Sequence, residues 1–438
     1  MKYHIITYGC QMNRADSERI AACFATAGFK PAPEMADADI VIVNMCSVRQ
    51  MAADRVFGLA VKFRLLRKRN SRFISVLTGC VVDKDVPKFK KIFDHILKIS
   101  ELGRWPVAVK EKGRKKKRQD YNDIEPARSD LFSAAIPIST GCDNFCSYCV
   151  VPYTRGRLIS RDCKKIILEA KKAIESGAKE IWLLGQNVNN YRWPDKKNGS
   201  AVDFGTLLRL VNAIPGDFWI RFTSPHPKDF SDSAVKAVAT CKKVTPYFNL
   251  PVQAGDDKIL KAMARPYTAA RYEKLVAKIR KAFKIHRSGL EAEVALSTDV
   301  IVGFPGETKK QFLNTARLFR EVKFDMAYIA QYSPRPGTTA AKLKDSVTPQ
   351  EKKRRINVLT KILFETSAAN NKIYAKKNVA VLVDKTAKNN DGSWTISGKT
   401  RSYKTARFES KKFIKPGNVV TVKIVKTLPL GLKAELVQ

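Results

Sequence analysis

Three apolar runs alternate with helix-like segments in the first part of the chain. The runs lie at residues 3–8, 39–44 and 72–78. Residues 14–28 and 52–69, which separate them, are long enough for crossover helices, and strands joined by crossover helices form a parallel sheet. We therefore predict a parallel βαβ domain over residues 1–120.

The middle of the chain repeats a strand-then-helix pattern. Strand candidates lie at 134–139, 180–184, 218–222, 247–252, 296–302 and 326–331, and helical patterns at 164–176, 272–282 and 309–322. Six such repeats indicate a barrel-like sheet, closed or open, with fewer strands than the eight of a complete TIM barrel. We predict a six-fold (βα) partial TIM-like barrel over residues 128–366.

The pattern changes after a lysine-rich helix predicted at 348–370. Short strand candidates follow at 379–383, 394–397, 419–425 and 432–437, separated by Asn-Asp-Gly and Pro-Gly turn signals. Residues 370–438 carry 15 Lys and Arg against 4 Asp and Glu. We predict a small all-β barrel over 370–438, and small basic barrels commonly bind nucleic acid.

Composition limits the class of protein. The 438 residues are 44% hydrophobic, yet no window reaches the ~18 apolar residues of a membrane-spanning helix. The first residues lack the stages of a signal peptide, so we expect a cytoplasmic protein with no membrane partner. A net charge of +40 favours a polyanionic partner, with a uniformly basic proteome as the alternative. The basic tract 110–118 is predicted to be a linker that touches phosphates.

Three of the nine cysteines lie on one predicted loop, and we call Cys142, Cys146 and Cys149 the loop triplet. Cytoplasmic cysteines rarely form disulfides, which leaves metal binding or burial. Three thiolates on one loop suit an iron–sulfur cube whose fourth iron has no protein ligand, an open position for a small molecule. The alternative is a structural zinc knuckle, which would need a fourth Cys or His nearby.

A second group of cysteines closes the three apolar runs of the first domain. Cys10, Cys46 and Cys80, the sheet triplet, each follow one predicted strand. In a parallel sheet these positions fall on the carboxyl edge, where open α/β sheets bind ligands. We predict a second three-cysteine cluster there, the alternative being chance placement of core cysteines. Cys23, Cys163 and Cys241 are predicted to be buried thiols.

The loop triplet, spaced Cys-x-x-x-Cys-x-x-Cys after the first barrel strand, resembles the radical S-adenosylmethionine superfamily. The resemblance implies a 4Fe-4S cluster held by three catalytic cysteines, Cys142, Cys146 and Cys149. It further implies that the open iron chelates the amino and carboxylate groups of S-adenosylmethionine. An electron from the cluster would then cleave the sulfonium to give a 5′-deoxyadenosyl radical.

Both triplets, the barrel and the basic β-module together resemble the methylthiotransferase family over nearly the whole chain. The resemblance implies a methylthiotransferase N-terminal domain with a second 4Fe-4S cluster on Cys10, Cys46 and Cys80, a radical barrel, and a C-terminal TRAM domain. Three stretches resemble the members that act on isopentenyladenosine in tRNA: Thr-Tyr-Gly-Cys-Gln-Met-Asn at 7–13, Cys-Val-Val-Pro-Tyr-Thr-Arg-Gly at 149–156 and Leu-Gly-Gln-Asn-Val-Asn-Asn-Tyr at 184–191.

This resemblance implies insertion of sulfur and methyl at C2 of N6-isopentenyladenosine next to the anticodon. S-adenosylmethionine would be both methyl donor and radical source, and the partners would be the tRNA anticodon stem-loop, a reductant protein and a sulfur source. The alternatives are a methylthiotransferase for threonylcarbamoyladenosine in tRNA, one for an aspartate of a ribosomal protein, and a non-catalytic RNA-binding iron–sulfur protein.

Polar residues just past barrel strands are candidates for binding S-adenosylmethionine. They are Gln186, Asn187, Ser224, Gln253, Arg265 and Asp299. Their alternative role is helix capping. The turn Gly303-Phe304-Pro305-Gly306-Glu307 matches a family element and is predicted to support the cofactor pocket. Two basic groups are predicted to contact RNA: Arg64, Arg67, Lys68, Arg69 and Arg72 beside the sheet triplet, and Lys399, Arg401, Lys404 and Arg407 with Tyr403 and Phe408.

Overall fold

The computed structural model describes residues 1–46, 50–109, 120–128, 130–194, 199 and 201–437. The predicted linker 110–118 therefore lies outside the described residues. The chain splits into two compact units. Unit 1 comprises Met1–Asp130, Ala135–Arg161 and Pro334–Ala341, and unit 2 comprises Leu131–Ala134, Asp162–Ser333 and Lys342–Gln438. The three predicted domain ranges do not coincide with these units and stay a prediction.

Unit 1 contains a five-stranded parallel sheet in the order β2-β1-β3-β4-β5. Its elements are β1 (Lys2–Tyr8), α1 (Gln11–Thr26), β2 (Lys30–Pro31), β3 (Ile40–Cys46), α2 (Gln50–Phe57), α3 (Leu59–Arg69), β4 (Ile74–Cys80), α4 (Val86–Phe89), β5 (His95–Ile96) and α5 (Trp105–Val109). The three predicted strands are confirmed. The predicted helix over 52–69 is two helices, which meet at Gly58.

The central strand β3 shows why this sheet is parallel and covered on both faces. All seven of its residues are buried. Val41 and Val43 pack with Phe63 of α3 on one face, and Ile40 and Ile42 pack with Phe24 of α1 on the other. A strand buried on both faces reads as a continuous apolar run, which is the pattern in the sequence.

The remaining elements of unit 1 frame a loop. These elements are β6 (Ser133–Pro137), which begins in unit 2, β7 (Ser139–Thr140), α6 (Val151–Arg155) and β8 (Ile159–Ser160). Because β7 and β8 pair in antiparallel fashion, they bring the two ends of residues 141–158 together.

Unit 2 begins with alternating strands and helices. They are α7 (Cys163–Glu175), β9 (Glu180–Leu184), β10 (Arg192–Pro194), β11 (Ala201–Asp203), α8 (Phe204–Asn212), β12 (Trp219–Phe222), α9 (Asp232–Thr240), β13 (Tyr247–Asn249), α10 (Asp257–Ala262), α11 (Ala269–His286), β14 (Ala295–Val302), α12 (Lys309–Val322), β15 (Met326–Gln331) and α13 (Pro349–Asn371). The parallel sheet breaks between β12 and β13, where the single bridge Ile220–Val244 continues it. The strand predicted over 247–252 ends at Asn249, two residues before Pro251, which has no N–H to donate.

The last part of unit 2 is a closed five-stranded barrel in the order β16-β17-β18-β20-β19. Its strands are β16 (Asn378–Lys388), β17 (Trp394–Thr400), β18 (Thr405–Ser410), β19 (Val419–Leu428) and β20 (Gly431–Leu436). The sequence did not predict β18. Its signal is a short alternation, with Ala406 and Phe408 buried in the barrel core and Arg407 and Glu409 exposed.

One arginine joins the closed barrel to the α/β part of unit 2. Arg221 on β12 is 1% exposed, and its Nε donates to Glu180 Oε2 at 2.8 Å. The same guanidinium donates to the carbonyls of Thr400 and Arg401 in the β17–β18 turn, each at 2.9 Å. The ring of Tyr403 lies 4.9 Å from the Arg221 Cζ atom and stacks on Tyr247. Unit 2 therefore depends on a buried cation whose partners come from two β-structures.

We expect Arg221→Met to destabilise unit 2 by about 3–5 kcal/mol, because it leaves the buried Glu180 without its counter-charge and removes a donor from each of the Thr400 and Arg401 carbonyls. Urea unfolding followed by tryptophan fluorescence measures the loss. Arg317→Met is the matched control, since Arg317 and its partner Glu321 are about half exposed (54% and 45%) and such pairs contribute less than about 1 kcal/mol. Equal unfolding midpoints for the two variants would contradict the role given to Arg221.

Candidate functional site

The sheet triplet lies on the carboxyl edge of the unit 1 sheet. Cys46 ends β3 and is the register partner of Cys80, which ends β4. Cys10 follows β1 and is the N-cap of α1. The thiol of Cys46 makes hydrogen bonds with the sulfurs of both Cys10 and Cys80. The three cysteines therefore converge as predicted, with Cys46 in contact with the other two.

The contact polarises the three thiols. Hydrogen bonding from Cys46 lowers the pKa of Cys10 to about 6, and a hydrogen bond from the backbone of Asn13 lowers it further. The same interaction lowers the pKa of Cys80 to about 6, and the positive charge of Arg155 adds to it. The pKa of Cys46 rises, because its proton is shared with Cys10 and Cys80 and because it is buried. Cys10 and Cys80 therefore lose their protons more readily than an ordinary cysteine, and Cys46 less readily.

Two buried asparagines position Cys10. The side-chain oxygen of Asn13 lies 3.3 Å from both the N and Sγ of Cys10, and its Nδ2 donates to Asn44 Oδ1 at 2.8 Å. A Cβ on Gly9 would lie 2.3 Å from Asn13 Oδ1, so residue 9 must be glycine for this approach. Asn13 belongs to the stretch 7–13 that carries the family resemblance, but the sequence alone did not predict a role for it. The signal was available: an asparagine three residues after a cysteine at a helix start.

The donor set of the sheet triplet fits an iron–sulfur cluster. Within the described ranges, no three His, Cys, Asp or Glu side chains form a ready ligand shell around one metal ion. A cube of four irons does not require one, because each thiolate binds a different iron. Three neighbouring cysteine sulfurs, two of them with lowered pKa values, are the donors that iron–sulfur clusters take.

In metal-free protein we expect iodoacetamide to alkylate Cys10 with a rate that rises through about pH 6, because the thiolate is the nucleophile. Mass spectrometry of peptides labelled across a pH series measures this. Below the pKa the thiol is protonated and unreactive, and above it the rate reaches a plateau. A midpoint near 8.5, the value of an ordinary cysteine, would contradict the polarised triplet.

The loop triplet lies between β7 and β8. The N–H of Cys142 donates to Gly156 O at 3.1 Å, which closes the loop at its base. Cys142 and Cys146 are buried and Cys149 is half-buried. The N–H of Asn144 donates to the sulfur of Cys142 at 3.4 Å, and the N–H of Cys149 donates to Cys146 O at 2.9 Å. These hydrogen bonds close the loop at its base and turn the chain at Cys142 and between Cys146 and Cys149.

Gly141 makes the start of this loop possible. Its φ is +76°, and a Cβ there would lie 2.0 Å from the carbonyl oxygen of Arg157. Both the left-handed backbone and the close approach exclude a larger residue. Gly156, on the other side of the loop, has φ +78° with open space around it.

We expect Gly141→Ala to lose about half of the iron that the reconstituted protein binds, because the loop triplet is displaced while the sheet triplet is untouched. Gly156→Ala is the matched control, since it has the same backbone strain without the clash. Iron and sulfide analysis after anaerobic reconstitution distinguishes them. Full iron content in Gly141→Ala would contradict the clash as the constraint on this loop.

The six predicted S-adenosylmethionine contacts lie in unit 2, and four of them follow parallel strands, whereas Asp299 lies within β14 and Arg265 follows α10 rather than a strand. Gln186 and Asn187 follow β9, and Asn187 Nδ2 donates to Asp229 Oδ2 at 2.7 Å. In the described part of the chain, Gln186 Oε1 and Asn187 Oδ1 are buried oxygens without a hydrogen-bond donor. Buried polar atoms are normally satisfied, so these two acceptors are aimed at something that brings its own N–H or O–H.

The other four predicted contacts are held by local structure. Ser224 and Gln253 have φ of +55° and +71°, a backbone strain that concentrates at functional sites. The guanidinium of Arg265 is buried and donates to Tyr267 OH at 2.5 Å and to Pro251 O at 2.7 Å. The carboxylate of Asp299 on β14 accepts from Asn249 Nδ2 at 3.1 Å. Hydrogen bonds thus position Arg265 and Asp299, and none of the four residues is the N-cap of a helix.

Two polar residues of this region escaped the sequence analysis. Within the described ranges, His226 Nε2 and Asn249 Oδ1 are further buried atoms without a partner. The Nδ1 of His226 accepts from Lys228 N at 3.2 Å, which assigns the proton to Nε2. Burial, with the charges of Arg265 and Lys228, lowers the pKa of His226 to about 2, so the ring is a neutral donor. The chain contains only 4 histidines, and that scarcity was the available signal.

One residue predicted to contact RNA and one from the turn predicted to support the cofactor pocket have partners within their own unit. Arg67 donates to Ser75 and pairs with Asp94 near the start of β4. Cys80 lies at the opposite end of β4, so Arg67 contacts the end of the strand that is away from the sheet triplet. Glu307 of the predicted cofactor turn pairs with Arg355 of α13 at 2.6 Å and accepts from Gly303 N. The turn therefore fastens α13.

The basic group of the closed barrel is also largely turned inward. Arg401 pairs with Glu291, and Lys404 pairs with Asp325 at 2.5 Å in a buried position. Tyr403 stacks on Tyr247, and Phe408 belongs to the barrel core. The alternating charged and aromatic residues at 401–404 thus lie where the closed barrel packs on the α/β part of unit 2. Arg407 is exposed, as RNA contact requires.

Comparison with known proteins identifies the chain. Residues 136–319 match the radical SAM superfamily, and residues 2–99 match the uncharacterized protein family UPF0004. The tRNA-2-methylthio-N(6)-dimethylallyladenosine synthase of Dictyoglomus thermophilum is 38% identical over 100% of this chain and 99% of its own length. The chain belongs to the tRNA-2-methylthio-N(6)-dimethylallyladenosine synthase family. A Clostridium botulinum member is 39% identical over 99% of this chain and 96% of its own length.

Solved structures agree with the fold of this synthase family member. The radical S-adenosylmethionine methyltransferase TsrM from Kitasatospora setae covers 78% of this chain and 75% of its own, with a TM-score of 0.50 and 13% identity. The cobalamin-dependent S-adenosylmethionine radical enzyme OxsB gives 0.54 at 10% identity, over 82% of this chain and 56% of its own. Such identities establish fold similarity alone. Within the described residues, no helix has the length and apolarity that crossing a bilayer requires.

Proposed function

We propose that this chain is a tRNA methylthiotransferase that inserts sulfur and methyl at C2 of N6-isopentenyladenosine next to the anticodon. The convergence of Cys10, Cys46 and Cys80 carries the proposal. One iron–sulfur cluster is enough to generate the radical. A second site with three thiols therefore has a different chemical role, and the proposed role is to supply the sulfur atom. The names and full-length similarity of the relatives support the same reaction.

The proposed assignment has three parts. A methylthiotransferase N-terminal domain carries the sheet triplet, a partial radical S-adenosylmethionine barrel carries the loop triplet, and the closed β-barrel is a TRAM domain that binds RNA. Each triplet would hold a 4Fe-4S cluster. These clusters, with S-adenosylmethionine, supply the electron, the radical and the sulfur when bound, chemistry that side chains alone do not offer at an unactivated aromatic C–H bond.

The residues of the chain bind and orient. Gln186 and Asn187 present oxygen acceptors to an ammonium, an amine or ribose hydroxyls, which fits S-adenosylmethionine. His226 presents a neutral N–H donor beside the cation Arg265, which suits a carboxylate or an adenine nitrogen. The pKa of His226 is too low for a general base near pH 7, and the proposed reaction needs none. The proposed location is the cytoplasm, where tRNA is modified.

Two single variants separate the tasks of the triplets. We expect Cys146→Ala to abolish formation of 5′-deoxyadenosine, whereas Cys46→Ala retains it after reduction and loses the methylthio product. Cys241→Ala, at a buried cysteine outside both triplets, is the control. Chromatography of reactions with S-adenosylmethionine and dithionite, with mass spectrometry of nucleosides from isopentenylated tRNA, gives both readouts.

The same measurement decides between the alternatives. Product on threonylcarbamoyladenosine or on a ribosomal protein, with none on isopentenyladenosine, would replace the proposed substrate. Reconstituted protein that binds iron but never cleaves S-adenosylmethionine would indicate a non-catalytic RNA-binding protein. The reductant protein and the sulfur source stay predictions.

A further inference from the structure

A buried arginine connects the segment that carries the loop triplet with a sulfur of the sheet triplet. The Arg155 side chain is 3% exposed, and its Nη2 atom lies 2.7 Å from Asp16 Oδ2, whose side chain is fully buried. Its Nε donates to the sulfur of Cys80 at 3.1 Å. Two nitrogens of one guanidinium thus serve two different partners.

The position of Arg155 in the chain is fixed by the loop triplet. It is the last residue of α6, a helix that begins two residues after Cys149. The next residue, Gly156, accepts from the N–H of Cys142. The backbone of Arg155 is therefore tied to both ends of one triplet while its side chain contacts the other.

Asp16 is held in place for this contact. It lies on α1, which begins directly after Cys10, and its second oxygen accepts from Tyr121 OH at 2.5 Å. Burial, followed by the charge of Asp16, raises the pKa of Tyr121, so the phenol remains a donor. With both carboxylate oxygens engaged, the Arg155–Asp16 pair is neutral and rigid, and Nε remains directed at Cys80.

A donor of this kind changes a metal-bound thiolate in two ways. It fixes the direction of the sulfur, as hydrogen bonds to ligands do around metal sites. It also stabilises negative charge on the sulfur, and reduction of an iron–sulfur cluster adds negative charge, so the reduction potential rises. Lysine offers a single ammonium nitrogen in place of two nitrogens held in one rigid plane, and it cannot replace both contacts in the same geometry.

We propose that Arg155 is a positioning residue of the second cluster: through its hydrogen bond to Cys80 it orients that ligand, raises the reduction potential of the cluster on the sheet triplet, and links the two cysteine triplets. The inference rests on the proposed function, because it takes Cys80 as a cluster ligand. Arg335 adds positive charge on the Cys46 side, so cations act on two of the three ligands.

The test uses the full chain with the loop triplet removed by Cys142→Ala, Cys146→Ala and Cys149→Ala, so that only the second cluster is observed. Arg155→Gln is introduced into this background. Iron and sulfide are counted, and a redox titration followed by electron paramagnetic resonance gives the potential. We expect iron to be retained and the potential to become more negative, with a smaller shift in Arg155→Lys.

Arg157→Gln is the matched control. Arg157 lies two residues further along the same segment, and its side chain is 71% exposed in a pair with Asp143. We expect the potential of Arg157→Gln to equal that of the parent. An Arg155→Gln potential equal to the parent's, with full iron, would overturn the inference while leaving the proposed function intact.

A folding defect is handled by a further variant. If Arg155→Gln loses its circular dichroism spectrum, the double variant Asp16→Asn, Arg155→Gln removes the unpaired buried carboxylate and keeps a neutral pair. A folded double variant with the parent potential overturns the inference, and one with a more negative potential supports it. A parent chain that binds no iron on the sheet triplet would instead overturn the proposed function.

Discussion

The register of three parallel strands is the constraint on which the sheet triplet depends. Cys46 and Cys80 are direct partners across β3 and β4, and Tyr8 at the end of β1 is the partner of Met45. A slip of one residue would turn every side chain of a strand to the opposite face. In β3 a slip would exchange the residues that pack with Phe63 on one face for those that pack with Phe24 on the other, and close-packed cores resist such an exchange.

Much of this arrangement follows from local sequence, and the rest depends on distant partners. Strand ends and cysteine spacing are local, so both triplets and most strands could be predicted. The partners of Arg221, Arg401 and Lys404 are far along the chain, and no periodicity reports them. Arg401, Tyr403 and Lys404, which the sequence placed in an RNA-binding group, therefore contact other parts of unit 2. Strand β18 was missed because its alternation is only six residues long.

Buried ion pairs determine where the excess positive charge of the chain lies. Asp16 with Arg155, Glu180 with Arg221, Glu307 with Arg355 and Asp325 with Lys404 are all buried pairs. Each is neutral and uses an acidic residue of a chain that has 41 of them against 81 Lys and Arg. The surplus of +40 is consequently left to the remaining, mostly exposed residues, whose attraction to phosphates falls as salt rises. A bound polyanion such as RNA reduces the repulsion among these like charges.

The two triplets also differ in when their ligands come together. The loop triplet lies within one short segment, so its thiols are neighbours even in an unfolded chain. The sheet triplet takes its thiols from the ends of three strands and exists as a set only after those strands have paired. Metal binding to such a set is coupled to folding, because the unfolded chain must close long loops before three ligands meet. The contact from Arg155 to Cys80 likewise forms only when the unit 1 sheet and the loop segment are both folded, so the complete site requires the whole of unit 1.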